Sequence, residues 1–429
     1  MGNYLYNNGL FHINFPIAFD PGHPPLMAFI QALSWKLLGK HLFVSHFITM
    51  PFLFGFIWQL HNFITYFTNN KKHQIIAIIV VLCDPTILAQ LFFVGQELPQ
   101  MFLFLLATNQ LLQGKYVLKA FALFFLGICS LRGMMLCGGF LLVEIFFYTI
   151  IQHSFKTIFN KKNIAAYCFG SSAAIAFIIW RLVTKGWIQT HEGSPWEDLW
   201  HIANLKTLIL NVVILTHRLL DFGRIAVMCF LVIAGLYWYK NKLKINHHIK
   251  LLLSLSILST CMITIVSLAA TNTIAHRYFA ISYIFFELLA LYILNSFTHN
   301  KKIILGVLTI CLATGNLWHY PPKIAQGWDA SLRGLPYFDL RNKAIAYLDE
   351  SHIKIEAVGT FFPNNFSIDA VSVNGDTRKL NDFDSTSEYV LYSNVYNLNN
   401  DQYKLLEQRF ILAKRFEHFG IYVDVLKRK

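Results

Sequence analysis

Charge is scarce in this chain. Asp, Glu, Lys and Arg make up 14% of its 429 residues, against 55% hydrophobic residues. An ordinary soluble domain carries roughly a quarter of its residues charged, so a water-soluble globule of this length is excluded and lipid must cover the surface. Cysteine is missing from the hydrophilic C-terminal region. Cys83, Cys129, Cys137, Cys168, Cys229, Cys261 and Cys311 all lie inside apolar stretches. That excludes a disulfide framework, no metal-binding spacing accompanies them, and each reads as a buried core cysteine. Acidic residues number 23 against 36 Lys and Arg, a net charge of +13. The basic residues fall largely in short clusters between apolar runs, which marks them as orientation signals and not as a nucleic-acid surface. No convincing internal repeat is visible. Aromatic residues are plentiful instead, with 39 Phe, 19 Tyr and 9 Trp, as expected where rings fill helix interfaces and anchor helix ends at headgroups.

A bilayer core of about 30 Å needs some twenty helical residues at 1.5 Å each. Apolar runs approaching that length occur near 44–67, 74–93, 98–113, 117–131, 133–152, 163–183, 223–239, 250–270, 278–297 and 303–318. If the first enters the cytoplasm, alternate loops carry Lys71 and Lys72; Lys115; Lys156, Lys161 and Lys162; Lys240, Lys242 and Lys244; and Lys301 and Lys302. All the cytoplasmic loops are then basic, which orients the chain with its C-terminal region outside. Residues 1–43 lie on the same outer face, with an apolar stretch near 25–39 too short to span, read as a helix in the interface. An outer-facing start implies a further helix upstream. From about 319 the composition turns polar after Pro321-Pro322, giving a soluble domain over 319–429. Its pattern predicts helices near 341–350 and 401–410 and strands near 354–361, 367–374, 388–394 and 412–426. The expected fold is thus an α-helical polytopic membrane protein of about ten transmembrane helices (44–318) with a small α/β C-terminal extracytoplasmic domain.

Asp20-Pro21-Gly22-His23-Pro24-Pro25-Leu26 stands just before the interfacial stretch. Two prolines stiffen an extended turn and a glycine permits close backbone approach, which holds an acid and a histidine at the membrane edge. A rigid helix entry is the plainer reading of the same residues. Glu97 follows in Gly95-Gln96-Glu97-Leu98-Pro99, and His276-Arg277-Tyr278-Phe279 opens a late apolar run. Arg132, Arg218 and Arg224 are further outer cations, each equally readable as snorkelling to headgroups. Glu144 and Glu287, inside apolar runs, are functional suspects by default, but their depth places them nearer the cytoplasm and outside the catalytic set. The outer loop 184–222 mixes Trp187, His191, Glu192, Trp196, Glu197, Asp198, Trp200 and His201, suited to a sugar or to an interfacial belt. His191 and His201 lack a zinc spacing. Acidic loop residues allow Mg²⁺ or Mn²⁺ without requiring either.

His23-Pro24-Pro25-Leu26 and the following helix ending at Leu37-Leu38-Gly39-Lys40 resemble the first outer loop of the polytopic, GT-C-type glycosyltransferases that use polyprenyl-phosphate sugars. That group includes the protein mannosyltransferases and the aminoarabinose transferase of lipid A. Glu97 and the His-Arg-Tyr string match acidic and R-Y positions of that group, and the resemblance spans residues 15–318 in layout. It implies transfer of a sugar from a polyprenyl-phosphate donor to a glycan, lipid or protein acceptor on the periplasmic face of an inner membrane. Asp20 and Glu97 are then the catalytic carboxylates, and His23, His276, Arg277, Arg218 and Arg224 hold substrate. A carboxylate serves as general base, and arginine binds phosphate oxygens in a planar fork. Members of that group place their principal catalytic Asp well before the HPPL-like motif, and this chain starts too late to hold it. Either the true start lies upstream, or Asp20 has taken the role, or the chain is not catalytically competent. A lipid-linked sugar carrier and a noncatalytic membrane scaffold are the competing classes.

Overall fold

The computed structural model describes residues 1–17, 20–188, 201–271, 274–296, 300–384 and 386–429. Two compact units emerge, one of Met1–Leu37 with His46–Gly315, the other of Leu38–Ser45 with Asn316–Lys429. The helices in chain order begin with α1 (Gly2–Asn8), α2 (Leu26–Leu38), α3 (Leu42–Phe47), α4 (Met50–Thr65), α5 (Lys71–Cys83) and α6 (Pro85–Phe92). Then come α7 (Glu97–Leu112), α8 (Tyr116–Gly127), α9 (Leu131–Phe146), α10 (Lys161–Lys185) and α11 (Leu205–Leu220). The helical unit closes with α12 (Arg224–Lys240), α13 (His247–Ala269), α14 (Ala280–Asn295) and α15 (Lys301–Thr314).

Among the described residues, five helices are long and apolar enough to cross a membrane: Leu42–Thr65, Leu131–Ile151, Lys161–Lys185, His247–Ala269 and His276–Asn295. The number reaches seven if each of two bent pairs counts as one span. The apolar stretch near 25–39 is the helix α2. Outward faces are apolar, with Ile175, Ile179, Val232, Leu236, Ile303 and Val307 all exposed, as lipid contact requires. The interior is built on rings: Phe63 packs on Phe285 at 5.5 Å, and Phe104 on Phe140 at 5.5 Å. Helix α14 lies in the middle of this packing, with Tyr283, Ile284, Phe285, Leu288, Leu289 and Ala290 all buried.

The two bends have separate causes. At Asp84-Pro85 the ring of Pro85 removes a backbone donor and disfavours helix in the residue before it. Asp84 then caps α6 by accepting the Thr86 and Ile87 N–H groups at 2.8 and 2.9 Å, and α5 and α6 diverge by 80°. Between α11 and α12 the chain turns by 92° through Phe222 and Gly223, both at positive φ, 52° and 83°. A Cβ at residue 223 would stand 1.9 Å from the Cys311 carbonyl oxygen of α15. Only glycine lets those two backbones meet.

Helix α11 departs from the reading of 184–222 as a loop: Leu205–Leu220 is helical, started by Asn204, whose side chain accepts the Thr207 N–H. Residues 189–200, with His191, Glu192, Trp196, Glu197, Asp198 and Trp200, lie outside the described residues. The cysteines also divide. Cys129 and Cys137 are buried, but Cys168, Cys229 and Cys261 are exposed because they fall on outward faces of α10, α12 and α13.

The second unit packs α16 (Pro336–Glu350), α17 (Ile368–Ser372) and α18 (Asn400–Arg409) with five strands, β1 (Val358–Thr360), β2 (Asn381–Asp382), β3 (Tyr389–Ser393), β4 (Phe410–His418) and β5 (Ile421–Arg428). The sheet order is β2-β1-β3-β5-β4; β1 pairs in parallel with β2 and β3, while β5 is antiparallel to β3 and β4. Leu340, Ala344 and Leu348 of α16 share its core with Val358, Val390, Val423 and Val425. The strand expected near 367–374 is instead the short helix α17, whose Asp369 accepts the Gly375 N–H at 2.8 Å and pairs with Lys40. The single strand expected over 412–426 is a hairpin. Phe419 and Gly420 both take positive φ, 48° and 72°, which is the backbone that a tight two-residue turn requires.

Candidate functional site

The helical unit carries two buried ionic clusters. The first gathers where α7, α9 and α14 begin and α10 ends. Asp20 has no solvent exposure, and Arg181 Nη1 donates to its two carboxylate oxygens at 2.9 and 2.8 Å. The Gly22 N–H donates to the same carboxylate at 2.9 Å, so the glycine of the Asp-Pro-Gly-His string closes a tight turn on it. Lys185 stands 4.0 Å away and donates to the Phe15 carbonyl at 2.6 Å. Arg181 stacks on Trp187 at 4.2 Å. It is 1% exposed, yet its Nε and Nη2 have no hydrogen-bond acceptor among the described residues.

Glu97 opens α7, where a carboxylate suits the positive helix end. Arg132 Nη2 donates to its Oε1 at 2.7 Å, and Arg277 Nε forms an ion pair with the same oxygen at 3.3 Å. The Tyr278 ring lies under the pair of guanidinium groups, 4.0 Å from Arg132 and 5.6 Å from Arg277. His23 sits beside them with its Nδ1 buried and without a partner among the described residues. Burial pushes its pKa down to about 3, helped by the positive charges of Arg132, Arg277 and Arg181 and opposed by Glu97. The imidazole is therefore neutral near pH 7, a hydrogen-bonding group and a weak base. Four cations, Arg132, Arg181, Arg277 and Lys185, surround two carboxylates in this cluster.

The second cluster joins the two helix bends. Arg224, at the start of α12, reaches Asp84 through Nε at 2.5 Å and Nη2 at 2.9 Å, donates to Thr86 Oγ1, and lies 3.6 Å over the Tyr283 ring. Glu287, one turn beyond Tyr283 on α14, is 2% exposed and sits beside Asp84 and Arg224. His276 Nε2 meets Asp221 at 2.7 Å, and Arg218 comes within 3.5 Å of the same nitrogen while donating to the Ile274 carbonyl at 3.0 Å.

Donor atoms of His217, Asp221 and His276 lie within 4.8 Å of one another, the donor set a divalent cation would use. The Arg218 guanidinium, 3.5 Å from His276 Nε2, sets a positive charge at that position and opposes a cation there. At the opposite end of the bundle Glu144 accepts from Lys119 Nζ at 2.6 Å and from the Tyr167 hydroxyl at 2.6 Å, and Lys119 also donates to Asn163, a cluster joining α8, α9 and α10.

The residues singled out in the sequence thus divide between two groups. Asp20, His23, Glu97 and Arg277 come together with Arg132, while His276, Arg218 and Arg224 join Asp84, Asp221 and Glu287. The adjacent residues His276 and Arg277 face different clusters. Arg181, Lys185 and Asp221 were not anticipated. Arg181 interrupts an apolar run close to its end, and an ionisable group in such a place is the signal that points to it.

Comparison with family models, with curated proteins and with solved structures finds no match for this chain.

Proposed function

We propose that the chain is a polytopic membrane glycosyltransferase that moves a sugar from a polyprenyl-phosphate donor to an acceptor at the outer, periplasmic face of an inner membrane. The observation that carries this reading is a surplus of cationic and unpartnered polar groups near Glu97: two half-buried arginines share one carboxylate oxygen, while the buried Arg181 Nε and Nη2 and His23 Nδ1 lack hydrogen-bond partners among the described residues. Leaving such groups unpaired costs about 1–3 kcal/mol each, a cost that the oxygens of a phosphate would remove.

In this reading the donor phosphate binds Arg132 and Arg277 beside the unpartnered nitrogens of Arg181 and His23, and Glu97 is released toward the acceptor. The acceptor hydroxyl oxygen attacks the anomeric carbon as Glu97 accepts its proton. The bond from that carbon to the phosphate oxygen breaks, its electron pair stays on the oxygen, and the two guanidinium groups stabilise the departing polyprenyl phosphate. Asp20, closed off by Arg181, holds that arginine in place and does not serve as the base. About ten crossings orient the lysine-rich loops to the cytoplasm, with the Glu97 cluster and the C-terminal unit outside. The crossings are α3 with α4, α5 with α6, α7 to α10 singly, and α12 to α15 singly.

A carrier of lipid-linked sugar is the second reading, favoured by the two broken helices that meet through Asp84 and Arg224, since transporters bind cargo at discontinuous helices. Liposomes holding the chain and radiolabelled polyprenyl-phosphate sugar separate the two. Label released from lipid onto an acceptor, one equivalent per polyprenyl phosphate formed, supports the transferase. Redistribution of intact donor across the bilayer without cleavage supports the carrier.

A further inference from the structure

Arg277 and Asn295 bracket α14, about 27 Å apart along a helix rising 1.5 Å per residue. At the Asn295 end the last turns of α4 and α14 and the first turns of α5, α13 and α15 line a cavity of about 420 Å³. That volume falls within the roughly 300–1,000 Å³ of sites that take small ligands. Its walls are apolar, with Ala77, Leu252, Leu288 and Leu291 among them. Its rim carries Lys72, His73, Lys301 and Lys302, and no Asp or Glu lines it among the described residues. Two helices also point their positive ends at this rim. Asn70 caps α5 by accepting the Lys72 and His73 N–H groups. Asn300, at the start of α15, makes no side-chain cap, so among the described residues the first N–H groups of that helix remain donors for an anion.

An apolar hollow between membrane helices, edged by three ammonium groups on one side, is complementary to an amphiphile with an anionic head. We propose that this cavity binds an anionic membrane phospholipid, its phosphate among Lys72, Lys301 and Lys302 and an acyl chain against Leu252, Leu288 and Leu291. The site is distinct from the Glu97 cluster and stands whether or not that cluster transfers sugar. Basic pockets between membrane helices are known to take lipid headgroups in this manner. The three lysines also contribute to the orientation of the chain, which makes a matched control necessary.

The test is retention of labelled phosphatidylglycerol by the purified full-length chain, equilibrated with mixed micelles of phosphatidylglycerol and phosphatidylcholine. Each lysine near an anionic lipid headgroup is worth about fivefold in affinity, so Lys72→Ala, Lys301→Ala and Lys302→Ala together should weaken retention on the order of a hundredfold. Lys240→Ala, Lys242→Ala and Lys244→Ala remove the same charge from another loop and should leave retention unchanged. Ala77→Phe keeps every charge, fills the hollow and should also weaken retention. Equal loss in the control triple, equal retention of phosphatidylcholine, preferential retention of polyprenyl phosphate, or displacement of the lipid by millimolar inorganic phosphate alone would each overturn the proposal.

Discussion

Replacing Asp84 by alanine should destabilise the helical unit more than any other single change at the second cluster. The carboxylate makes two hydrogen bonds with Arg224 and two with the first turn of α6. Its loss strands a guanidinium that is 1% exposed, and breaking one side of a buried pair costs about 3–5 kcal/mol. The lost cap adds about 1 kcal/mol. Asp84→Asn keeps an oxygen for the cap and should cost less. Arg224→Met removes the cation and leaves Asp84 its two backbone donors, so it should cost less than Asp84→Ala as well. The double variant Asp84→Ala with Arg224→Met should fall short of the summed single effects by about 0.5–3 kcal/mol, the range for residues in direct contact. Equilibrium unfolding in mixed detergent micelles measures all four. Additive single effects would refute the claim that this pair ties the two bends together.

Three further outcomes follow from the same geometry. Gly223→Ala should lower expression of folded protein and its melting temperature sharply, because a methyl group would meet the Cys311 carbonyl oxygen and a positive φ adds about 1 kcal/mol or more of strain; near wild-type stability would show that the α12 and α15 backbones do not touch. His23 has a folded pKa of about 3, below its unfolded value near 6.5. The stability that it contributes is therefore full above pH 6.5 and is lost as pH falls toward 3. Melting temperatures between pH 7.5 and 4.5 should accordingly fall less for His23→Gln than for the wild type. Arg277→Ala and Arg132→Ala should each reduce kcat/KM for the lipid donor about 10- to 100-fold, the range for a hydrogen bond to a charged group, with a smaller effect on KM for the acceptor; equal effects on both substrates would move these arginines away from the phosphate.

Long apolar runs made most of the helical unit readable in advance. All ten expected runs contain helix, because lipid-facing and buried positions both demand apolar side chains. Helix α11 escaped because Thr207, Asn211, Thr216, His217 and Arg218 interrupt its apolar stretch, and Asn211 is spent on the carbonyls of Ser267, Leu268 and Ala270, partners far away in the chain. The site shows the same limit. The Asp-Pro-Gly-His string marked Asp20 and His23 through local turn chemistry, but Arg181 lies 161 residues from Asp20 and Arg132 lies 35 from Glu97, and no local pattern joins such pairs. In the second unit, the pattern of apolar residues located β1 and β3, while β4 and β5 read as one strand and the turn at Phe419-Gly420 was missed because an aromatic residue holds the place where Asn or Asp is usual.

The most direct test of the central claim is single-turnover transfer by Glu97→Gln, with donor binding measured on the same preparation. If Glu97 is the base and its charge competes with the donor phosphate for Arg132 and Arg277, the variant should bind the polyprenyl-phosphate sugar at least as tightly as the wild type. Its transfer rate should fall about 10²- to 10⁴-fold. Unchanged transfer, or loss of donor binding in step with transfer, would contradict the account.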